Sequence, residues 1–488
     1  MSEYALITNC AVFMLEAGMS EQGTDTPHIT RKGQGKMGNR IGKGKIMLLL
    51  VALLLVFTSG CGRGGQTTAS NEGGTNPAEK KEGVKISNEP ITLKIYNANN
   101  MNLESFKKSY TDVIQAKYPH ITIEVVKNEK GATIEELTAA GNIPDIILGA
   151  GANFAATLNQ LDIPEDLSPY IKKYNFNVNS IAPAVVQSLK AFFNSEQLKA
   201  LPAGQMDFML LYYNKDLFDK FAVPYPKDGM TWDELYDLAK RMTRMDNGVQ
   251  YRGIDFQDNS IIQYNPLSLP LVDPKTQLAS VNNSQWKQWF DNMRRFHEIP
   301  GNLKVSSLSS VNPKLDDFLK ERNLAMLLCM PILSRMPEAE KTGFNWDIAA
   351  MPSYKEQPGA GLQLVAPYFA ISKTSKHKDQ AFLALTEVIT EEALINRAKD
   401  GVLTILADPK VNEHFGENNP SLKTKNINAI KKYKVANAQP YFSPYDSVVI
   451  NAMINGFRDA VKNGTDTNTA LRSIEEKANK DIEAMKNK

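Results

Sequence analysis

Catalysis needs nucleophiles, acids, bases or metal ligands spaced so that they can meet, and this chain of 488 residues shows few such groupings. Its five histidines are scattered, with no HExxH pair, and it contains no GxSxG or Walker run. Cys10, Cys61 and Cys329 stand apart without CxxC or zinc-ligand spacing, so no metal, cofactor or disulfide framework is expected. Gly149-Ala150-Gly151 lacks the spacing of a phosphate-binding loop, and its glycines read as a tight turn. Two carboxylates that meet only in space, as in a glycosidase, would leave no linear trace. What remains is polar residues at the ends of apolar runs: Asn97, Asn99 and Asn100 after one, Asn153 after another. Their amides both donate and accept, which suits a polar ligand and equally suits turns and helix caps.

The elements around these residues alternate. Ile91–Tyr96 and Ile121–Val126 read as strands, Met101–Tyr118 and Thr133–Ala140 as helices, and Asp145–Leu148 as a third strand. Such a succession builds an open sheet with helices on its faces, and ligands bind such sheets at the carboxyl ends of the strands.

The densest pattern is Met206–Thr243. Phe208–Tyr213 is an unbroken apolar run suited to a strand covered on both faces, and Asn214 follows at a helix N-cap position. A helix with Leu217, Phe218 and Phe221 on one side ends before Pro224. Thr231 and Glu234 then form a capping box ahead of Leu235, Leu238, Ala239 and Met242. Further along, Trp286–Phe296 is an amphipathic helix whose tryptophans read as packing, and Cys329 sits in an apolar run as a core residue.

The stretch YYNKDLFDKFAVPYPKDGMTWDELYDLAKRMT resembles the extracellular solute-binding family 1 proteins, the ligand-capturing subunits of ATP-binding-cassette importers of the maltose-binding type. DFLKERNLAMLLCM, GFNWDIAAMPS and the segment Leu362–Ser372 agree with it, so the resemblance extends from about Pro90 onward. It implies an α/β fold of the type II periplasmic-binding-protein class, with two lobes joined by a hinge that the chain crosses near Gly204, Leu364 and Lys410. Lobe 1 is expected over 89–206 and 364–410, and lobe 2 over 207–363 and 411–488.

The resemblance also implies a set of ligand-binding positions. Asp207 falls where maltose-type relatives place a carboxylate that accepts sugar hydroxyls, and Asn153 falls near a polar contact. Gly149 and Ile332 stand where those relatives stack tryptophan on a pyranose ring, so that platform is not kept. Asn97, Asn99, Asp255, Tyr264, Tyr368 and Tyr441 complete the expected set, with Phe369 and Phe442 as further candidate platforms. Asp207→Ala is expected to abolish binding and leave the melting profile nearly intact. No catalysis is expected; a non-sugar solute such as a short peptide, a glycan-active enzyme and a surface sensor are the alternatives.

The amino-terminal region reads as an address. Arg40, Lys43 and Lys45 precede the apolar run Ile46–Phe57, the layout of a secretory signal too short to span a bilayer. Thr58-Ser59-Gly60-Cys61 resembles a bacterial lipobox, with Thr58 where the pattern usually has Leu, so Cys61 is the expected lipidation site. Residues 37–60 are then the signal peptide, with Met37 as the native start and 1–36 as an upstream extension. Residues 61–88, poor in large apolar side chains, are a tether. Six basic and four acidic residues precede Cys61, which leaves the remainder balanced in charge and argues against a nucleic-acid partner. The expected protein is a monomer on the outer face of the cytoplasmic membrane, held by its lipid alone, that takes a small ligand, a carbohydrate on the family's pattern, to permease transmembrane subunits.

Overall fold

In the computed structural model the described residues are 88–308, 312–431 and 433–487. The signal, the lipobox cysteine Cys61 and the tether lie outside them. Among the described residues no helix is long and apolar enough to cross a membrane.

Two five-stranded sheets organise the chain. The first has the order β2-β1-β3-β10-β4, built from β1 (Ile91–Asn97), β2 (Ile121–Lys127), β3 (Ile146–Ala150), β4 (Leu201–Pro202) and β10 (Pro367–Ile371). β1 is parallel to β2 and β3, while β10 runs antiparallel to β3 and β4. The second has the order β6-β7-β8-β5-β9, from β5 (Leu210–Asn214), β6 (Arg244–Asp246), β7 (Val249–Phe256), β8 (Leu324–Cys329) and β9 (Trp346–Ala350). β5 is antiparallel to both β8 and β9.

The apolar run in Met206–Thr243 becomes β5, a central strand buried on both faces. Its side chains alternate as a strand requires: Leu210 and Tyr212 join one hydrophobic cluster, Leu211 and Tyr213 the other. Asn214 caps the next helix, Lys215–Lys220, by accepting from the Asp216 and Leu217 amides. The capping box is closed both ways, Thr231 Oγ1 accepting from Glu234 N at 3.3 Å and Glu234 Oε2 from Thr231 N at 2.7 Å. Trp286 and Trp289 are fully buried in the helix Ser284–His297, edge-on to each other with Trp289 against Phe457, and Cys329 is a buried free thiol.

Two details differ from expectation. Gly149 lies inside β3 and is not a turn residue; a Cβ built there would stand 2.3 Å from the Phe154 ring, so the glycine makes room for that ring. The helix after β1 is also not uniform. Leu103–Phe106 and Asp112–Lys117 are α-helical, but Lys107–Thr111 between them is a π-helical turn, a feature that inserts an extra residue and is frequent at functional sites.

Three segments join the sheets side by side. Ala203 N donates to Pro367 O at 2.9 Å and Asp207 N to Val365 O at 2.6 Å; Gly361 N donates to Lys434 O and Ala436 N to Leu362 O, each at 2.9 Å. A further passage falls later than the Lys410 region. The helix Pro409–Glu413 still packs beside Glu391–Lys399, and Asn418 N donates to Lys399 O at 2.9 Å; only at Ser421, bonded to Glu340, does the chain reach the second sheet's side.

Candidate functional site

Asp207 sits in the first of the three joining segments, and a cavity of about 470 Å³ opens beside it. One wall comes from Met101, Ser105, Lys108 and Ser109, around the π-helical turn. Another comes from Asn396, Arg397 and Asp400 of the helix Glu391–Lys399 and its end, running on into Val402 and Leu403. Pro331, Leu333 and Ser334, just past β8, close it from the second sheet. The floor is the hinge strand itself, Gln205 to Phe208. Both lobes and the hinge therefore contribute to its lining.

The local sequence explains the arrangement. Ser105, Lys108 and Ser109 recur at helical spacing, as do Ala393, Asn396, Arg397 and Asp400, so each set lies along one helix face. Gly204 turns the hinge with φ +87°, a conformation that favours glycine. Arg397 Nη1 donates to Ala203 O at 2.8 Å and Nη2 donates to Gln205 Oε1, which clamps that turn to the helix.

The charged groups differ in how they are satisfied. Lys108 and Asp400 pair at 2.9 Å on the rim, where Lys108 is largely exposed. Burial works against the Asp400 carboxylate, but hydrogen bonds from Asn418 and Lys108 hold it below its ordinary range. Asp207 has no such help. Its surface is partly open to the cavity, yet desolvation alone pushes its carboxyl up to about 6. No donor reaches its side chain among the described residues, so an ionised Asp207 is an acceptor waiting for hydroxyl or amide hydrogens.

The other expected positions are dispersed. Asn97, the buried last residue of β1, folds its own loop: Nδ2 donates to Met101 O at 2.8 Å and Oδ1 accepts from Met101 N at 3.1 Å. Asn99 is half-buried in that loop, and Asn153 half-buried in the first turn of the helix Gly151–Gln160. Tyr368 is fully buried in β10 and donates to Gly151 O at 3.1 Å. Phe369 is buried beside it in β10.

On the second lobe, Asp255 belongs to an ionic cluster, bonded to Arg252 and 3.3 Å from Lys314. Tyr264 lends its carbonyl to Gln363 N at 3.2 Å, against the hinge. Ile332, buried between two cavity-lining residues, donates its N–H to Tyr212 Oη at 3.0 Å. Tyr441 bonds Gln277 at 3.0 Å, and Phe442 packs edge-on against Phe192 at 5.1 Å.

The cavity thus brings Asp207 together with residues that the sequence reading did not single out: Arg397, Lys108, Ser105, Ser109 and Asn396. Their signal was present as two polar helix faces flanking apolar ones. Phe208 is an aromatic residue of the lining, but it is buried against Phe415 and Tyr433.

Solved structures share this architecture. A sugar transporter from Rhizobium etli in an open conformation aligns with a TM-score of 0.67 at 19% identity, covering 80% of this chain and 99% of that one. The sugar-binding protein MalE from Xanthomonas citri aligns with a TM-score of 0.65 at 18% identity, over 81% and 98%. An extracellular solute-binding protein from Staphylococcus aureus in complex with maltose gives 0.58 at 17%, over 81% and 99%. These likenesses establish the two-lobed, type II periplasmic-binding-protein-like fold. The family model described as bacterial extracellular solute-binding protein matches residues 101–395, more than half of the sequence, and the chain belongs to that family.

Proposed function

We propose that this protein is the substrate-binding lipoprotein of an ATP-binding-cassette importer, anchored through Cys61, which captures a carbohydrate by lobe closure and passes it to membrane permease subunits. The observation that carries the reading is Asp207: an unpartnered carboxylate on the hinge, in a cavity walled by both lobes. A carboxylate accepts two hydroxyl donors at once, an arrangement that suits vicinal hydroxyls and tightens as closure excludes water. The site acts by binding alone. Its members supply acceptors, donors and apolar wall, with no nucleophile and base held together.

The maltose-bound relative from Staphylococcus aureus supports the carbohydrate class. The buried state of Phe208 favours a second reading, a non-sugar solute, because the cavity offers no exposed ring for a sugar face. A thermal-shift panel of saccharides and short peptides separates the two. A saccharide that raises the midpoint without being turned over supports carbohydrate capture, and a response to peptides alone overturns it. Mass spectrometry of small molecules released from the purified protein gives an independent answer.

A further inference from the structure

The cavity holds two opposite charges that do not neutralise each other. Lys108 and Asp400 cancel as a rim pair, which leaves Asp207 and Arg397. The acceptors of Arg397, Ala203 O and Gln205 Oε1, are both neutral, and its guanidinium lies 5.5 Å from the centre of the Tyr110 ring. No carboxylate stands within ion-pair distance of it among the described residues. A guanidinium carries five N–H donors in a rigid fork; two are taken by these neutral oxygens, the Tyr110 side chain lies alongside, and no carboxylate balances the charge. Ser105 and Ser109 on the facing wall add hydroxyls whose side chains bond nothing among the described residues.

Neutral sugars are held largely by stacking on aromatic faces, and the cavity's Phe208 is already covered. Affinity here must come from polar and charged contacts. Gln205, which holds the Arg397 fork, is two residues from Asp207 on the same hinge segment, at most about 7 Å of backbone, so the guanidinium and the carboxylate belong to one cavity.

We infer that the solute is an acidic sugar, its carboxylate or phosphate received by the Arg397 fork and its hydroxyls by Asp207. The inference rests on the carbohydrate-capture reading and narrows it. Arg397 is suited to the task because a planar fork meets a carboxylate or phosphate in two parallel bonds, which an ammonium does not do.

The test is calorimetric titration of the full-length protein at pH 7.5 with glucuronate, galacturonate, glucose 6-phosphate, glucose, galactose and the methyl esters of the two uronates. At least one acid should bind about tenfold or more tightly than its neutral counterpart, the gain typical of charge-assisted hydrogen bonds. The uronate and phosphate arms tell which anion is read. Arg397→Gln should abolish that preference, and Arg397→Lys should restore part of it. The ester comparison on the unmodified protein needs no variant and stands even if Arg397→Gln unfolds. Equal affinity for acid and ester, or a preference that survives Arg397→Gln, overturns the inference. Neutral sugars binding well while acids do not would sink it and leave carbohydrate capture standing; no saccharide binding at all would remove both.

Discussion

Asp207→Asn preserves the shape of the side chain and one acceptor while deleting its charge, and the structure gives the size of the effect. Burial raises the Asp207 carboxyl from 3.8 to about 6. A carboxyl whose folded value lies above its unfolded one destabilises the fold. The penalty is absent below the unfolded value, grows between the two, and is complete above the folded one. A shift of this size is on the order of 3 kcal/mol. The variant should therefore be more stable than the parent by about 3 kcal/mol at pH 7.5, roughly 4 °C in midpoint for a folded body of about 400 residues, and no more stable at pH 4. The sequence leads to an expectation of nearly unchanged melting for Asp207→Ala; for Asp207→Asn the raised carboxyl predicts a pH-dependent gain.

The same variant should bind ligand at least about tenfold more weakly, since hydrogen bonds to a charged acceptor contribute about 1.5–3 kcal/mol each. Because the binding-competent form is ionised, affinity of the unmodified protein for a neutral sugar should fall about tenfold per pH unit below 6. Differential scanning calorimetry across pH 4–8 and titration calorimetry at pH 5, 6 and 7.5 read both halves. A variant that melts no higher than its parent at pH 7.5, or that binds ligand equally well, refutes the reasoning.

Three other substitutions probe the frame. Asp446 is buried with Oδ2 accepting from Gln439 Nε2 at 2.9 Å and Ser443 N at 3.1 Å, and with Oδ1 unpartnered. Burial pushes it up to about 7, so Asp446→Asn should stabilise the protein at pH 8, by on the order of 4 kcal/mol, and hardly at pH 4, as urea midpoints would show. Lys314→Met strands the buried Asp255 and Asp258, which lie 3.3 and 3.0 Å from Nζ; a loss of about 3–5 kcal/mol is expected from chemical denaturation. Thr231→Ala opens the capping box and should cost about 1 kcal/mol in the same assay, with ligand affinity unchanged.

The fold was readable in the chain wherever local rules and packing agree. Asn214 and the Thr231–Glu234 box mark helix starts because their side chains answer backbone amides within three residues, an interaction complete in the local sequence. β5 was readable because both faces are covered, so no polar alternation interrupts it. The site was less readable. Asp207 could be singled out through a family likeness, but Arg397 lies 190 positions later on a helix whose polar face resembles any solvated face. Only the clamp onto Ala203 and Gln205, a contact across the fold, distinguishes it. The π-helical turn at Lys107–Thr111 was invisible for a related reason: one extra residue in a helix leaves the 3.6-residue pattern almost intact. Gly149 misled because its glycine answers a neighbour's ring and not its own backbone.

The buried acids of the molecule show why Asp207 stands apart. Asp255, Asp258 and Asp317 are nearly inaccessible, yet Arg252, Lys314 and Lys304 surround them, and Asp255 and Asp258 are held below the ordinary carboxylate range despite the burial that opposes it. That cluster is compensated by the lobe that contains it and is complete without any ligand. Asp446 accepts from Gln439 Nε2 and Ser443 N, which offsets only part of its burial and leaves Oδ1 unpartnered, but it does not line the cavity between the lobes. Asp207 shares the burial but none of the compensation, and it lies where the two lobes meet and not inside one. A carboxylate in that position weakens the fold by its burial and gains only where donors arrive from elsewhere. Stability alone would favour Asn or an apolar residue there. An uncompensated charge on the hinge therefore supports the proposal that Asp207 serves binding rather than folding.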